Sequence, residues 1–321
     1  MDYINLGKSD LKVSQLGFGC CPMGGYGWGV VSSMELERSV SMALDSGINL
    51  FDTADTYGFG ESEKQLGKFL RGRRHEAIIA TKFGVRSDSE RKTFYDNSPA
   101  WIEIALEASL KRLNTDHIDL YQIHYFDGKT PFEDIINTLE RKRNEGKVRY
   151  YGFSNVSCQA IEHYNLPKHM ISFQSEYSLA NRRNEKDIRE ITAEKSLGFI
   201  SWGSLGQGIL SGKYNSGTKF SDDDRRSRQV YVNFHGEKLE QNLKIVEVMR
   251  EISEKKGRTL SQLAIRWIID YLGFGVVLVG IKKQEQLADN MEAFGWHLDR
   301  EEIDSLDAVS RLSRQDYTAT R

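Results

Sequence analysis

The chain has 321 residues, a formal net charge of −2 and 39% hydrophobic residues, the make-up of an ordinary soluble globular protein. Near-neutral charge without a long basic stripe argues against a nucleic-acid binder, and no apolar run approaches the roughly 20 residues that span a membrane. Three cysteines, Cys20, Cys21 and Cys158, are too few for a disulfide framework, and the polar segment 1–14 lacks the apolar core of a signal peptide, so the cytoplasm is the expected compartment.

In chain order, eight short apolar runs read as strands: 16–20, 49–53, 77–81, 118–123, 150–154, 171–176, 199–202 and 275–279. Helical periodicity covers 34–46, 61–70, 99–113, 132–145, 157–164 and 184–195 between them, 237–256 and 260–271 before the last strand, and 284–294 after it. Strands separated by helix-length segments pair in parallel through right-handed crossovers, and eight such units close a (β/α)8 TIM barrel. The whole chain, 1–321, is read as one such barrel. Ser98-Pro99 reads as an N-cap followed by proline in the first turn. Gly47 and Gly146 read as helix stops, while Ser33 and Glu37 are one residue off a capping box. The stretch 212–236 is polar and aperiodic and reads as a long functional loop; a tail covers 300–321. Adjacent Cys20 and Cys21, with no second Cys or His pair nearby, make a poor metal site and read as small residues at a strand end.

Four side chains carry the chemistry. Asp52 ends the second strand, with Tyr57 in the loop after it; Lys82 ends the third and His124 the fourth. In a barrel the active site lies at the C-terminal strand ends, so these four converge on one side of its mouth. A phenol, an amine, a carboxylate and an imidazole brought together can protonate a carbonyl oxygen. The Lys82 cation is expected to lower the Tyr57 pKa, Asp52 to keep Lys82 charged, and His124 to donate or relay toward the same oxygen. Ser154, Asn155 and Gln174 at the next strand ends suit a planar carboxamide, and the Trp202 ring suits stacking. Tyr26, Trp28, Tyr125 and Phe126 follow strand ends and are candidates for an aromatic substrate pocket. The glycines at 24, 25, 27 and 29 miss the spacing and context of a dinucleotide fingerprint and read as a flexible loop over the mouth. His75, His117, His163, His169, His235 and His297 have no such company and read as surface or packing residues.

The stretches LGFGC, GINLFDTADTYG, GESE, TKFG, DLYQIH, YYGFSN, FQSEYS, SLGQGILSGKY and VGIKKQEQLADN resemble, in order over residues 16–290, the aldo-keto reductases, in the bacterial branch that includes general-stress reductases and the potassium-channel β-subunit type. The resemblance implies hydride transfer from NADPH (NAD less favoured) to an aldehyde or ketone, a keto-sugar among the candidates, with no metal. It makes Tyr57 the general acid, Lys82 its tuner through Asp52, and His124 the group that orients the carbonyl. Ser154, Asn155 and Gln174 would hold the nicotinamide carboxamide, and Trp202 would stack. Gly203, Ser204, Leu205, Gly206 and Gln207 with Lys213 resemble the pyrophosphate clamp, and Arg226 the belt over it. Gly280, Ile281, Lys282, Lys283, Gln286 and Asn290 resemble the adenosine and 2′-phosphate site at the start of the last helix. Cys20, Cys21 and Asp52 are further expected cofactor contacts. Two departures stand out. Trp202-Gly203-Ser204-Leu205 replaces the common Tyr-Ser-Pro-Leu, which is expected to loosen the loop. Lys282-Lys283 replaces Ser-Arg, which keeps positive charge but loses bidentate geometry. The branch also contains NADPH-binding regulatory subunits with little turnover, which is the alternative reading. A small-molecule carbonyl is the expected partner, with neither nucleic acid nor membrane involved, and a monomer is the default.

Overall fold

The structure, a computed structural model, describes residues 1–25, 27–88, 90 and 92–315; Tyr26 and the chain end at 316–321 lie outside the described residues. The strands in chain order are β1 (Tyr3–Asn5), β2 (Lys12–Ser14), β3 (Leu16–Gly19), β4 (Leu50–Asp52), β5 (Ile78–Phe83), β6 (Val85–Ser87), β7 (Thr93–Tyr95), β8 (Ile118–Ile123), β9 (Val148–Ser154), β10 (Met170–Glu176), β11 (Gly198–Trp202) and β12 (Val276–Gly280). The helices are α1 (Ser33–Asp45), α2 (Glu61–Phe69), α3 (Pro99–Leu113), α4 (Phe132–Asn144), α5 (Cys158–Ile161), α6 (Glu185–Lys195), α7 (Gly236–Lys256), α8 (Leu260–Leu272), α9 (Gln284–Met291) and α10 (Arg300–Val309).

Strands β3, β4, β5, β8, β9, β10, β11 and β12 pair in parallel and close on themselves, the expected (β/α)8 barrel. Alternation sorts the side chains into two sets. Leu50, Ala80, Leu120, Ile200, Val276 and Leu278 face inward and fill the barrel. Phe51, Ile79, Tyr121, Phe153 and Phe199 face outward into the core beneath the helices. The β1–β2 hairpin, which the sequence reading lacked, plugs the N-terminal end through Leu6, Leu11 and Val13.

Several boundaries move. Strand β5 runs to Phe83 rather than stopping at 81, so Lys82 lies within it and bonds to β8 in register with Gln122. The cap of α1 is Ser32, whose hydroxyl accepts from the Glu35 N–H, so the Ser33–Glu37 pairing is not the cap. The helix expected over 157–164 shrinks to the single turn of α5. Ser98 does cap α3, accepting from the Trp101 N–H, with Pro99 in the first turn. Gly47 and Gly146 follow α1 and α4 at positive φ. The long loop contains short 3-10 turns at Arg225–Ser227 and Val232–Phe234. Helix α9 is not the last: α10 follows, capped by Asp299 and Glu302 in a reciprocal box. Arg182, wholly buried, locks this end of the chain by donating to Glu185, Asp307, Ser310 and the Tyr271 hydroxyl. No helix among the described residues is long and apolar enough to cross a membrane.

Candidate active site

The strand pattern aims Asp52, Lys82, Gln122, Ser154 and Gln174 into the barrel, above the apolar filling. Lys82 is 1% exposed and Asp52 4%. The Lys82 ammonium donates to Asp52 Oδ1 at 2.6 Å, to the Thr53 carbonyl at 2.8 Å and to Tyr57 Oη at 3.3 Å. All three of its N–H groups are therefore used. Because Tyr57 Oη accepts from Lys82, its own proton is free to point away from Lys82. The second Asp52 oxygen accepts from Gln174 Nε2 at 2.7 Å, so both its oxygens are held. The His124 ring meets the Tyr57 ring edge-on, centroids 6.1 Å apart.

Electrostatics here correct one expectation. Tyr57 is not shifted down by Lys82. Burial pushes its hydroxyl well above the usual phenol range, and the Asp52 carboxylate adds to the rise. The Lys82 charge is answered at close range by Asp52, so desolvation wins and the phenol stays protonated. Burial, followed by the Lys82 charge, holds His124 well below the usual imidazole value, hence neutral; its Nδ1 is sealed from solvent without a partner.

The turn bearing Tyr57 is fixed from both ends. The Ser62 hydroxyl bonds to Thr53 Oγ1 and donates to the Cys20 carbonyl, both at 2.8 Å. Gly58, at φ 61°, lies so close to Gly24 that a Cβ on it would sit 2.1 Å from the Gly24 carbonyl oxygen.

At the next strand ends Asn155, at φ 56°, donates to the His124 carbonyl and to Ser154 Oγ, while its Oδ1 accepts from the Trp202 indole at 3.1 Å. The Asn155 and Gln174 amides are thus engaged by the protein itself. Cys20 is buried and Cys21 half-buried at the end of β3. Gly203 to Gln207 lead from β11 into a 3-10 turn. Gln207 bonds to Asn233 and Glu176, and Arg183 also reaches Glu176; sequence reading missed Glu176 and Arg183.

Cationic side chains converge on the far side of the mouth. Arg226 is gripped by Asp224 through its Nε at 2.8 Å and its backbone N–H at 2.9 Å, and it also donates to the Tyr214 hydroxyl. Lys282 donates to the Trp28 carbonyl at 2.7 Å, and Gln286 accepts from the Lys282 N–H at 2.9 Å. Asn290 is buried, Ile281 fully so, and Gly280 is exposed. Burial and then Arg226 push the Lys282 ammonium below the ordinary lysine value, with Lys213 and Lys283 adding to the effect and Asp224 opposing it. An excess of positive charge in a half-buried place suits phosphate groups, so these residues fit the phosphates of a dinucleotide.

The glycine loop is pinned: the Arg225 N–H donates to the Gly27 carbonyl at 3.0 Å. Arg225, the neighbour of the residue singled out, also lies 5.8 Å over the Trp28 ring. Of the expected aromatic pocket, Trp28 meets Tyr231, and Tyr125 stacks between His124 and Tyr95 of the β6–β7 hairpin. Phe126 instead turns onto Phe132 and Phe153 in the helix layer. Tyr26 is outside the described residues.

Fold and site together place this chain among the oxidoreductases built on a (β/α)8 barrel. The sequence model of the aldo/keto reductase family matches residues 15–311, and the chain belongs to that family. It is 30% identical over 312 residues to the aldo-keto reductase YhdN of Bacillus subtilis, covering 96% of this chain and 93% of that protein. It is 33% identical over 288 residues to the aldo-keto reductase yakc of Schizosaccharomyces pombe, whose name carries NADP(+), covering 88% and 84%. The solved structure of a glycerol dehydrogenase from Gluconobacter oxydans superposes with a TM-score of 0.88 at 33% identity, over 100% of this chain and 98% of that one.

Proposed function

We propose that this protein reduces the carbonyl of a small aldehyde or ketone to an alcohol, with NADPH as the cofactor and Tyr57 as the proton donor. The observation that carries the reading is the buried Lys82 ammonium held between Asp52 at 2.6 Å and the Tyr57 hydroxyl at 3.3 Å. A carbonyl oxygen seated between Tyr57 and His124 takes the phenol proton. Lys82, already donating to that hydroxyl, stabilises the phenolate left behind. Asp52 holds Lys82 in place. His124 is neutral, so it donates a hydrogen bond that orients the carbonyl without competing as an acid. When bound, the nicotinamide supplies the hydride to the carbonyl carbon.

Ser154, Asn155 and Gln174 are the proposed carboxamide partners and Trp202 the stacking ring. The 203–207 loop with Lys213 is the proposed pyrophosphate clamp, closed by Arg226. Lys282, Lys283, Gln286 and Asn290 are proposed for the adenosine end, where the gathered positive charge favours a 2′-phosphate. The NADP(+) in the name of the fission-yeast relative and the glycerol dehydrogenase activity of the Gluconobacter neighbour support this chemistry, and polyols with their keto counterparts belong in the substrate panel.

The test is turnover of NADPH and NADH against aldehydes, ketones and keto-sugars, with Tyr57→Phe as control. The expected outcome is turnover that falls by at least about a thousandfold in the variant, the upper part of the span for general acid catalysis, with NADPH affinity nearly unchanged. Unchanged turnover in Tyr57→Phe removes Tyr57 as the acid.

A further inference from the structure

The turn that carries Tyr57 rests on a second polar cluster, on the outer side of the barrel wall, which the mechanism above does not use. Glu63 of α2 is wholly buried there. Its Oε1 accepts from the Thr81 hydroxyl at 2.6 Å and its Oε2 from Arg112 Nε of α3, also at 2.6 Å. Arg112 spends another donor on Ser109 Oγ at 3.1 Å. Asp55, two residues before Tyr57, puts its carboxyl in this same pocket. The residue as a whole is partly exposed, but its Oδ1 is sealed from solvent and has no hydrogen-bond partner. The hydroxyl of Tyr121, reaching outward from β8, is sealed and unpartnered as well.

Counting charge decides what Asp55 is. The pocket holds two carboxyl groups and one guanidinium, and Glu63 has the guanidinium. Lys82, across the wall, has all three donors committed to Asp52, Thr53 and Tyr57. A second carboxylate here would be desolvated, repelled by Glu63 and left with the Thr56 backbone N–H as its donor, an arrangement in which a carboxyl keeps its proton. We propose that Asp55 is a positioning residue: as the neutral acid it lets the Tyr57 turn sit against Glu63, and on ionising it drives that turn off the wall and misplaces the Tyr57 hydroxyl. The proposal rests on the reading of Tyr57 as the acid.

The groups that face Asp55 are Glu63 from α2, Arg112 from α3, Lys82 from β5 and Tyr121 from β8. Burial first, then Glu63, push Asp55 from 3.8 up to about 8, against the opposing pull of Arg112, the Thr56 N–H and Lys82. Tyr121 is held far above its usual value, by burial first, and stays protonated throughout. The sign follows from proton counting. Between the ordinary carboxyl value and about 8 the folded chain holds a proton that the unfolded chain has lost. Stability therefore falls as pH rises through that window, and the folded turn carries the charge above it.

The experiment is the pH profile of kcat and KM from about pH 6 to about 10 for the wild type and Asp55→Asn, with an infrared titration of buried carboxyl groups. In the wild type, kcat is expected to fall by up to about tenfold per pH unit above the Asp55 ionisation, with KM for NADPH nearly flat. Asp55→Asn is expected to keep the neutral-pH kcat and to lose that limb. It should also raise the melting temperature relative to wild type at alkaline pH. The wild type should show a protonated-carboxyl band that disappears near the same pH and is absent from the variant. A folded Asp55→Asn with an unchanged alkaline limb overturns the proposal. If that variant does not fold, the infrared titration of the wild type still decides: a carboxyl already ionised at about pH 6 overturns the Asp55 proposal while leaving the reductase reading intact.

Discussion

At the residue scale, two opposing effects meet on Tyr57, and their relative strength sets the chemistry. A nearby ammonium favours phenolate, but burial opposes it, and Asp52 at 2.6 Å answers the Lys82 charge before Tyr57 can feel much of it. The result is a phenol that keeps its proton until a carbonyl oxygen takes it, which is what a proposed general acid requires. The same pairing makes Asp52 structurally expensive to lose. Asp52→Asn leaves the ammonium of Lys82 buried opposite a neutral amide, and removing one partner of a buried pair costs about 3–5 kcal/mol. Urea unfolding of this variant is expected to show a loss of that order together with a collapse of turnover. A loss near zero would mean that the Lys82–Asp52 pair adds little net stability to the fold. The motif residues Asp52, Tyr57, Lys82 and His124 were legible in the sequence because each lies at, beside or in the turn after the C-terminal end of a barrel strand, and the barrel brings neighbouring ends together. The direction of the Tyr57 shift was not legible, since it depends on how completely the mouth excludes water.

At the element scale, the positions of the turns matter more than their sequences. The Tyr57 turn is seated by two glycines from different loops, Gly24 after β3 and Gly58 after β4, whose backbones touch. Gly58→Ala must place a Cβ 2.1 Å from the Gly24 carbonyl oxygen while holding φ at 61°. A non-glycine residue held in that region costs about 1–3 kcal/mol, and here the clash adds to it. The expected outcome is a lower melting temperature and a reduced kcat with KM for NADPH little changed, measured by thermal unfolding and steady-state kinetics. An unaltered kcat would show that the turn tolerates displacement. Elements whose pattern repeats over three turns or more, such as α3 and α7, were read correctly within a residue or two. The short β1–β2 and β6–β7 hairpins were not found, because a three-residue strand carries too little periodicity to separate it from a loop.

At the scale of the whole molecule, opposite sides of the mouth carry different chemistry. The β4–β8 side holds the Lys82–Asp52 pair and Tyr57; the side from the 203–207 loop to Lys282 gathers Lys213, Arg226, Lys282 and Lys283. Lys282→Ala removes one charge from that group and one anchor from the glycine loop at the Trp28 carbonyl. It is expected to weaken NADPH binding by about tenfold, or about 1.4 kcal/mol, and to leave NADH binding nearly unchanged, as read by fluorescence titration. Equal losses for both cofactors would place the contribution of Lys282 in loop anchoring rather than in recognition of a 2′-phosphate.

The sequence by itself determined the parallel barrel, the order of its strands and the family, because strand and helix periods alternate along the chain and the motif residues fall at or near the C-terminal ends of consecutive strands. Only the tertiary structure decided which groups are alone in the dark. Asp55 and Tyr121 look like ordinary polar residues in the string DTADTYG and in a strand. Their character comes from Glu63 and Arg112, brought from two helices to a place where Asp55 Oδ1 and the Tyr121 hydroxyl are sealed from solvent. Desolvation and charge balance are properties of a place rather than of a sequence, and the place exists only once α2 and α3 have closed over the wall between β4 and β8.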